Sequence, residues 1–216
     1  MRLYLLAAIL AASSAVAAPF AVQVGEARIG LDAPPGYADT TATGSPRLIE
    51  LSEALTSASN RILLFAVSDA DLRRFTLGEP LEMRRYMVVV TPRALERERL
   101  TEATFKQLIA DAVSGAAPAA TDYAKHLDAQ PVGATALLAE LRKEPDLISV
   151  LQGARTKAGG FFKSSEYILS STTMMLVRGK ALTLSMFTRY EDPADLEWVR
   201  SATVRWIDEL KRLNSR

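Results

Sequence analysis

Apolar residues recur along this chain with two periods, and the last third shows both. Leu182, Leu184 and Met186 occupy every second position, which is typical of a strand with one buried face. This strand and a preceding one over residues 172–177 flank Arg178-Gly179-Lys180, a short turn that contains glycine. The pattern predicts an antiparallel hairpin that ends near residue 190.

The final stretch has the period of an amphipathic helix. Asp192-Pro193 supplies an N-cap followed by a proline that suits the first turn. Asp195 lies near the positive end of the helix dipole, and Lys211 and Arg212 lie near the negative end. Apolar side chains repeat between these ends at three- and four-residue spacings: Leu196, Val199, Trp206, Leu210 and Leu213. A long C-terminal helix with Trp206 in its buried stripe is therefore predicted.

Two upstream runs, over residues 62–67 and 83–90, are apolar at nearly every position. A strand of this kind is covered on both faces, so the sheet needs helices on both sides. Residues 46–58 and 105–113 have helical spacing and can supply them. The alanine-rich stretch over residues 119–143 is also expected to be helical, with a break near Pro131.

Strand patterns account for the remaining segments. Residues 21–24 and 28–31 flank a Gly25-Glu26 turn, and residues 148–156 and 161–169 flank a glycine turn. The predicted fold is α+β: a three-layer α/β/α sandwich with a mainly antiparallel central sheet and a long C-terminal amphipathic helix. No linker or internal repeat divides the sequence, so a single globular domain over residues 18–216 is expected.

The first 17 residues resemble a secretory signal peptide. Arg2 gives a positive start, and the ten residues that begin at Leu3 are all apolar. Small residues follow, and Ala17 and Ala18 flank the predicted cleavage site. An apolar run of ten residues rises only about 15 Å as a helix, roughly half of the hydrocarbon core of a bilayer. We therefore expect cleavage and export rather than retention in the membrane.

The composition of the chain limits the cellular compartments and the classes of partner that suit it. The chain has no cysteine, so it has no disulfide, no thiolate nucleophile and no cysteine for lipid attachment. Loss of Arg2 leaves 25 of the 26 basic residues against 25 acidic ones, so no basic surplus points to nucleic acid. The apolar content of 49% is enough for a full core. These features predict a bacterial periplasmic protein that stays out of the membrane after cleavage.

A few segments resemble the family that joins the photosystem accessory protein PsbP to the nuclear-transport factor Mog1. They are Pro34-Pro35-Gly36-Tyr37 after an early strand, the strand over residues 60–65, the Arg178-Gly179-Lys180 turn, and Trp206, Leu210 and Asn214 in the last helix. The resemblance implies an α/β/α sandwich and a non-enzymatic accessory or binding role. It supplies no ligand residues for this chain.

Catalytic motifs are missing from the sequence. It has no nucleophile elbow, phosphate loop, dinucleotide fingerprint or zinc-protease motif. His126 is the one histidine, with Asp122 and Asp128 as local candidates to orient it, and a solvent-facing histidine is the simpler interpretation. Asp69-Ala70-Asp71 lacks the rest of a calcium loop and is expected to cap a helical turn. No catalytic residue, cofactor or metal is predicted.

Three surface features have structural and functional interpretations. Residues 170–173, all serine or threonine, suit the wet face of an edge strand or the lining of a polar pocket. Residues 96–99 alternate glutamate and arginine, as a solvated face or a docking patch would. Trp198 flanks the apolar stripe of the last helix, where it is expected to be half exposed and is the candidate interaction residue.

Three functions remain open. The first is a non-catalytic periplasmic binding or accessory protein whose partner is another envelope protein. The second is an envelope hydrolase, which needs two carboxylates about 5–10 Å apart across a cleft. The third is a carrier of a small apolar ligand, which needs a cavity of some hundreds of Å³ between sheet and helices.

Overall fold

The computed structural model describes residues 19–113, 123–156 and 166–215. Its centre is an antiparallel sheet of seven strands: β3 (Tyr37–Asp39), β4 (Asn60–Ser68), β5 (Arg85–Pro92), β6 (Thr135–Glu144), β7 (Leu147–Arg155), β8 (Tyr167–Val177) and β9 (Lys180–Arg189). Their order across the sheet is β3-β4-β5-β9-β8-β7-β6. A separate hairpin contains β1 (Phe20–Val24) and β2 (Ala27–Leu31). The helices are α1 (Pro46–Ala54), α2 (Asp69–Thr76), α3 (Glu102–Val113), α4 (Tyr123–Asp128) and α5 (Pro193–Asn214).

One face of the sheet packs against α5, α4 and the β1–β2 hairpin. Its buried cluster joins Val199, Trp206 and Leu210 of α5 to alternate residues of the strands, including Leu169 and Leu184. Burial of a large apolar side chain contributes roughly 1.5–3 kcal/mol. This face therefore holds the largest part of the core, and Trp206 belongs to it as predicted.

The opposite face packs against α1 and α3. Leu51 and Leu55, from α1 and the residue that follows it, contact a cluster that contains Phe65 of β4, while Phe105 of α3 contacts Ile148 of β7. Since helices cover both faces of an antiparallel sheet, the predicted α+β sandwich with a long C-terminal helix is confirmed. The predicted hairpin around Arg178-Gly179-Lys180 is confirmed as β8 and β9.

The helix predicted over residues 119–143 is wrong for most of its length. Of the residues in this stretch that the structure describes, 123–143, Tyr123–Asp128 is helical, and Thr135–Glu144 forms the edge strand β6. Ala136 and Leu138 of β6 are buried, and the strand pairs with β7 throughout. Pairing with an apolar neighbour therefore overrides the helical preference of the alanines.

Residues 170–173 do not lie at an edge of the sheet, contrary to the sequence interpretation. They belong to β8, which pairs with β7 on one side and β9 on the other. The Ser171 hydroxyl lies 2.5 Å from that of Thr203 in α5, and the Thr173 hydroxyl lies 2.8 Å from that of Ser149 in β7. These hydroxyls are buried and satisfy one another in the core.

The last helix closes over the first strands of the described chain. The Trp206 indole N–H donates to the Asp32 carbonyl at 2.8 Å. The Asn214 side chain accepts from the Gly30 N–H and donates to the Gly30 carbonyl, both at 2.9 Å. Contacts between residues more than 170 positions apart in the sequence thus fix the β1–β2 hairpin to the sandwich.

Lys180 is a fully buried cation that ties three segments together. Its ammonium donates to the Glu96 carbonyl at 3.1 Å and the Glu98 carbonyl at 2.7 Å, and it pairs with Glu26 at 3.1 Å. The backbone comes so close here that a Cβ on Gly25 would lie 2.3 Å from the Glu96 carbonyl oxygen. Gly25 also has a positive φ of 55°, so glycine is required in this turn.

Candidate functional site

Strand β4 is covered along only part of its outer edge. β3 pairs with Ala66–Ser68, and the Thr40 N–H and hydroxyl both donate to the Phe65 carbonyl, at 2.7 and 2.9 Å. In contrast, the three residues at the start of β4, numbers 60–62, pair with β5 alone. This part of the strand faces the outside of the sheet with no neighbouring strand in the described chain.

Local turn chemistry directs the chain away from this edge. Asp39 accepts hydrogen bonds from the Phe65 N–H at 3.2 Å and the Thr41 N–H at 3.1 Å. A 3-10 turn over Thr41–Thr43 follows, and Gly44 adopts a left-handed conformation before Pro46 starts α1. The chain therefore rises from the sheet edge into α1 and leaves a gap beside β4.

That gap is a groove of about 540 Å³, which we name the β4 groove. Ligand sites commonly have volumes of about 300–1,000 Å³. Its lining comes from the 3-10 turn, α1, the turn after α1, the start of β4 and the residue after β5. These side chains are Thr40, Thr41, Leu48, Ile49, Ser52, Glu53, Thr56, Ser57, Ala58, Asn60, Arg61, Ile62 and Arg93. The groove is thus lined by hydroxyl groups, aliphatic side chains, one carboxylate and two guanidinium groups.

The two cations of the groove differ in their partners. Arg61 donates to the Gln23 carbonyl at 3.1 Å and pairs with Glu96 at 3.4 Å. Arg93 is exposed, and its Nε donates to the Ala58 carbonyl at 3.3 Å. Within the described ranges no carboxylate lies at ion-pair distance from Arg93. The groove therefore offers an unneutralised positive charge to an incoming group.

The β4 groove has the chemistry of a binding site. A carboxylate-dependent hydrolase needs two facing carboxylates, and Glu53 is the one acidic side chain in the lining. The hydroxyl groups of the α1 wall bond to their own backbone, as Ser52 does to the Ile49 carbonyl at 2.8 Å. Ile49 itself is 43% exposed, so the wall also presents an apolar contact.

His126 lies in α4 and is half buried. The Asp128 carboxylate, one of its two predicted orienting groups, instead accepts from the Tyr167 hydroxyl and pairs with Arg155 at 3.4 Å. The hydrogen bond to Asp128 raises the pKa of Tyr167. Asp122 lies outside the described residues. Asp128 is thus committed to other partners, and a triad through it is not formed.

Asp69-Ala70-Asp71 forms the first turn of α2, but the predicted capping role belongs to Ser68, which is the N-cap. The Ser68 hydroxyl accepts from the Asp71 N–H at 3.0 Å. The Asp71 carboxylate is buried and accepts from Arg74 at 3.0 Å and from the Glu82 N–H at 3.2 Å. Across the described ranges, no group of three histidine or acidic residues is placed to hold a metal ion.

Trp198 is half exposed, as the sequence predicts, and lies in a cluster with Tyr37, Arg84, Arg85 and Asp195 that we name the Asp195 cluster. Its ring centroid is 6.1 Å from that of Tyr37 and 4.3 Å from the Arg85 guanidinium carbon. Arg85 donates to Asp195 at 2.7 Å. The ring is therefore held in place by a cation–π contact, and a role for Trp198 in partner binding remains a prediction.

Asp195 is a buried carboxylate in the first turn of α5, with only 1% of its side chain exposed. It accepts from the Glu191 N–H at 3.1 Å, and Arg84 lies 3.5 Å away. Burial alone would raise the pKa of Asp195, but the hydrogen bonds from Arg85 and Glu191 and the charge of the two arginines outweigh burial and lower that pKa. The sequence pattern predicted Asp195 near the positive end of the helix dipole, but it gave no sign of the contacts with Arg84, Arg85 and the Glu191 N–H.

An apolar cavity of about 40 Å³ lies between α1 and the sheet. Its lining includes Leu51, Leu55 and the stacked rings of Tyr86 and Phe187, whose centroids are 4.6 Å apart. Burial raises the pKa of Tyr86 to about 12. A carrier of apolar ligands needs several hundred Å³, so this cavity does not serve that function.

The described helices contain no segment that is both long and apolar enough to cross a bilayer. The predicted signal peptide, with Ala17 and Ala18 at its cleavage site, lies outside the described residues. So do most of the 157–166 connection and the start of the strand predicted over residues 161–169.

Two solved structures of Mog1 proteins are similar to this chain. The Ran-binding protein Mog1p of Saccharomyces cerevisiae is 12% identical, with a TM-score of 0.41 over 91% of this chain and 94% of that one. A mutant of protein Mog1 is 12% identical, with a TM-score of 0.39 over 92% and 94%. No family model and no curated protein matches the sequence. Both structures come from the family that the sequence resembles.

Proposed function

We propose that this chain is exported to the periplasm and acts there as a non-catalytic accessory protein that binds another envelope protein. The observation that carries the proposal is the β4 groove, a site of ligand size at an open strand edge. Its lining can form hydrogen bonds, one apolar contact and an ion pair, which are the interactions of a binding surface. Export is supported by the charge, apolar run and small residues of the first 17 positions.

Cleavage of the leader is the first expected result. When the full chain with a C-terminal tag is produced in a bacterium, intact-mass measurement of the periplasmic fraction should give a protein that starts at Ala18. The variant Ala17→Arg places a bulky charge where a signal peptidase needs a small residue, so the uncleaved precursor should accumulate. An uncleaved wild-type chain in the membrane fraction would contradict the export proposal.

Partner capture is the second expected result. Crosslinking in living cells, followed by purification through the C-terminal tag, should recover one envelope protein reproducibly. The double variant Ile49→Glu/Arg93→Glu places negative charge in the β4 groove and should reduce recovery at least about tenfold, the effect of losing roughly 1.4 kcal/mol of binding free energy.

A matched control is available on α5, on the opposite face of the sheet. Val204 is 37% exposed, close to the 43% of Ile49, so Val204→Glu makes the same chemical change far from the groove. Recovery should be unchanged in this variant. Equal recovery from wild-type and groove variants would move the binding surface elsewhere, with Trp198 the next residue to replace. Turnover of a substrate by the mature chain would contradict the non-catalytic proposal.

A further inference from the structure

We infer that the β4 groove binds an extended, acidic segment of the partner, which adds a strand to the open edge of β4. This inference rests on the proposed function and specifies how the site recognises its partner. An edge strand presents unpaired N–H and C=O groups that an extended peptide can bond, and side-chain pockets beside it supply selectivity.

The first argument is the geometry of the edge. Neighbouring strands lie about 4.7–4.9 Å apart, and β3 already occupies that position beside Ala66–Ser68. The groove continues the line of β3 past Asn60, Arg61 and Ile62, where β4 pairs with β5 alone. An added segment of three or four residues spans roughly 10–13 Å at about 3.3 Å per residue. It would therefore be collinear with β3 and complete the outer row of the sheet.

The opposite edge of the sheet is less suited to this role. β6 shifts register against β7 twice, between Leu137 and Ala139 and between Glu140 and Arg142. Such bulges disturb the row of edge groups and discourage further pairing. β4 has one shift, between Ile62 and Leu64, which marks the inner end of the open stretch. The three residues before it keep a regular register with β5. The Asn60 N–H already donates to the Ser57 carbonyl at 2.9 Å, so an added strand would bond to the other edge groups of this stretch.

The second argument is charge. Arg93 follows β5 directly, its N–H donates to the Ser59 carbonyl at 2.9 Å, and it lies where the open edge begins. Its guanidinium has no carboxylate partner in the described ranges, whereas Arg61 is already paired with Glu96. A planar guanidinium binds a carboxylate through two parallel hydrogen bonds. The occupant is therefore an acidic segment, with an aspartate or glutamate opposite Arg93.

The experiment uses a displayed library of random dodecapeptides selected against the mature chain. Enriched peptides should share an aspartate or glutamate flanked by β-branched or aromatic residues. For the tightest peptide, replacing its acidic residue by the matching amide should weaken binding about tenfold, because a charge-assisted hydrogen bond is lost. Arg93→Glu should weaken binding at least as much, and Arg93→Lys less. Val204→Glu should leave the affinity unchanged.

Backbone methylation separates an added strand from a bound helix. Methylating the peptide nitrogens one at a time should weaken binding at every second residue, because alternate N–H groups of an edge strand face its neighbour. Loss at consecutive residues, enrichment of peptides without an acidic residue, or no enrichment over an unrelated bait would overturn the inference.

Three further outcomes are distinguishable. If the unliganded mature chain sediments as a dimer that Ile49→Glu dissociates, the occupant is a second copy of the chain and the inference is wrong. If the cellular partner is captured through another surface and no acidic peptide is selected, the proposed function stands and strand addition fails. If an acidic peptide is selected but the chain is not exported, the groove chemistry stands and the periplasmic role fails.

Discussion

Replacing Lys180 by methionine should lower the free energy of unfolding by about 2–5 kcal/mol, because two backbone carbonyls that accept from the buried ammonium lose their donor. The ammonium is fully buried and reaches the carbonyls of Glu96 and Glu98 together with the Glu26 carboxylate. Methionine matches the length of the aliphatic stem and keeps its packing, so the change isolates the polar contacts. Urea denaturation of the mature chain, followed by circular dichroism, measures the loss.

The matched control for Lys180 is Glu26→Gln. The Glu26 side chain is 57% exposed, and a glutamine amide oxygen can still accept a hydrogen bond from the Lys180 ammonium. Its own backbone N–H and the Lys180 ammonium hold the pKa of Glu26 below the usual value. The denaturation midpoint of Glu26→Gln should therefore stay close to that of the wild type. A small effect of Lys180→Met, equal to that of the control, would show that the buried contacts are not needed for stability.

Replacing Asp195 by alanine should be the other severe change, with an expected loss of about 3–5 kcal/mol in the free energy of unfolding. The substitution removes the carboxylate that neutralises Arg85 and also accepts from the Glu191 N–H. Arg85 would then keep its cation–π contact with Trp198 but lose the carboxylate that neutralises its charge. Urea denaturation at neutral pH checks the magnitude, and Glu191→Gln, at a 54% exposed side chain, is the control.

Acid should remove the contribution of Asp195 gradually. Because its pKa is lowered in the folded state, its stabilisation is fully present above the unfolded pKa of about 3.9 and is lost as pH falls through the folded value. The difference in unfolding free energy between the wild type and Asp195→Asn should therefore be constant near pH 7 and shrink below about pH 4. A difference that stays the same in acid would show that charge is not the source of the stabilisation.

The sequence predicted the elements whose patterns are strong on their own. α5 has a cap, a full apolar stripe and dipole-matched ends, and it forms over Pro193–Asn214 as expected. The β8–β9 hairpin has regular alternation around a glycine turn. In contrast, β6 consists mostly of residue types that favour helices, namely alanine, leucine, glutamate, arginine and lysine. Its strand character depends on pairing with β7, which no pattern within residues 135–144 encodes.

The site could not be predicted because its parts depend on where distant segments end. The β4 groove exists because β3 stops after three residues, and the place where β3 meets β4 depends on residues 66–68, which lie far along the chain. Arg85 and Asp195 are 110 residues apart, and either alone resembles an ordinary surface charge. From the sequence, Lys180 looks like part of a polar surface turn, although in the structure its side chain is fully buried. Residues 170–173 have surface composition, yet hydroxyl partners in α5 and β7 allow Ser171 and Thr173 to be buried.

The hydrogen bonds between the last helix and residues 30 and 32 also have a consequence for biosynthesis. Because a polypeptide is synthesised from its N-terminus, Gly30 and Asp32 are made long before their partners Asn214 and Trp206. In the same way, β5 cannot pair with β9 until β9 has been made. Contacts so distant in sequence form slowly, since a long loop must close first. The described fold therefore cannot be completed until α5 has been synthesised. Such a delay would suit the export proposed above, because a polypeptide passes through a narrow translocation channel before it has folded.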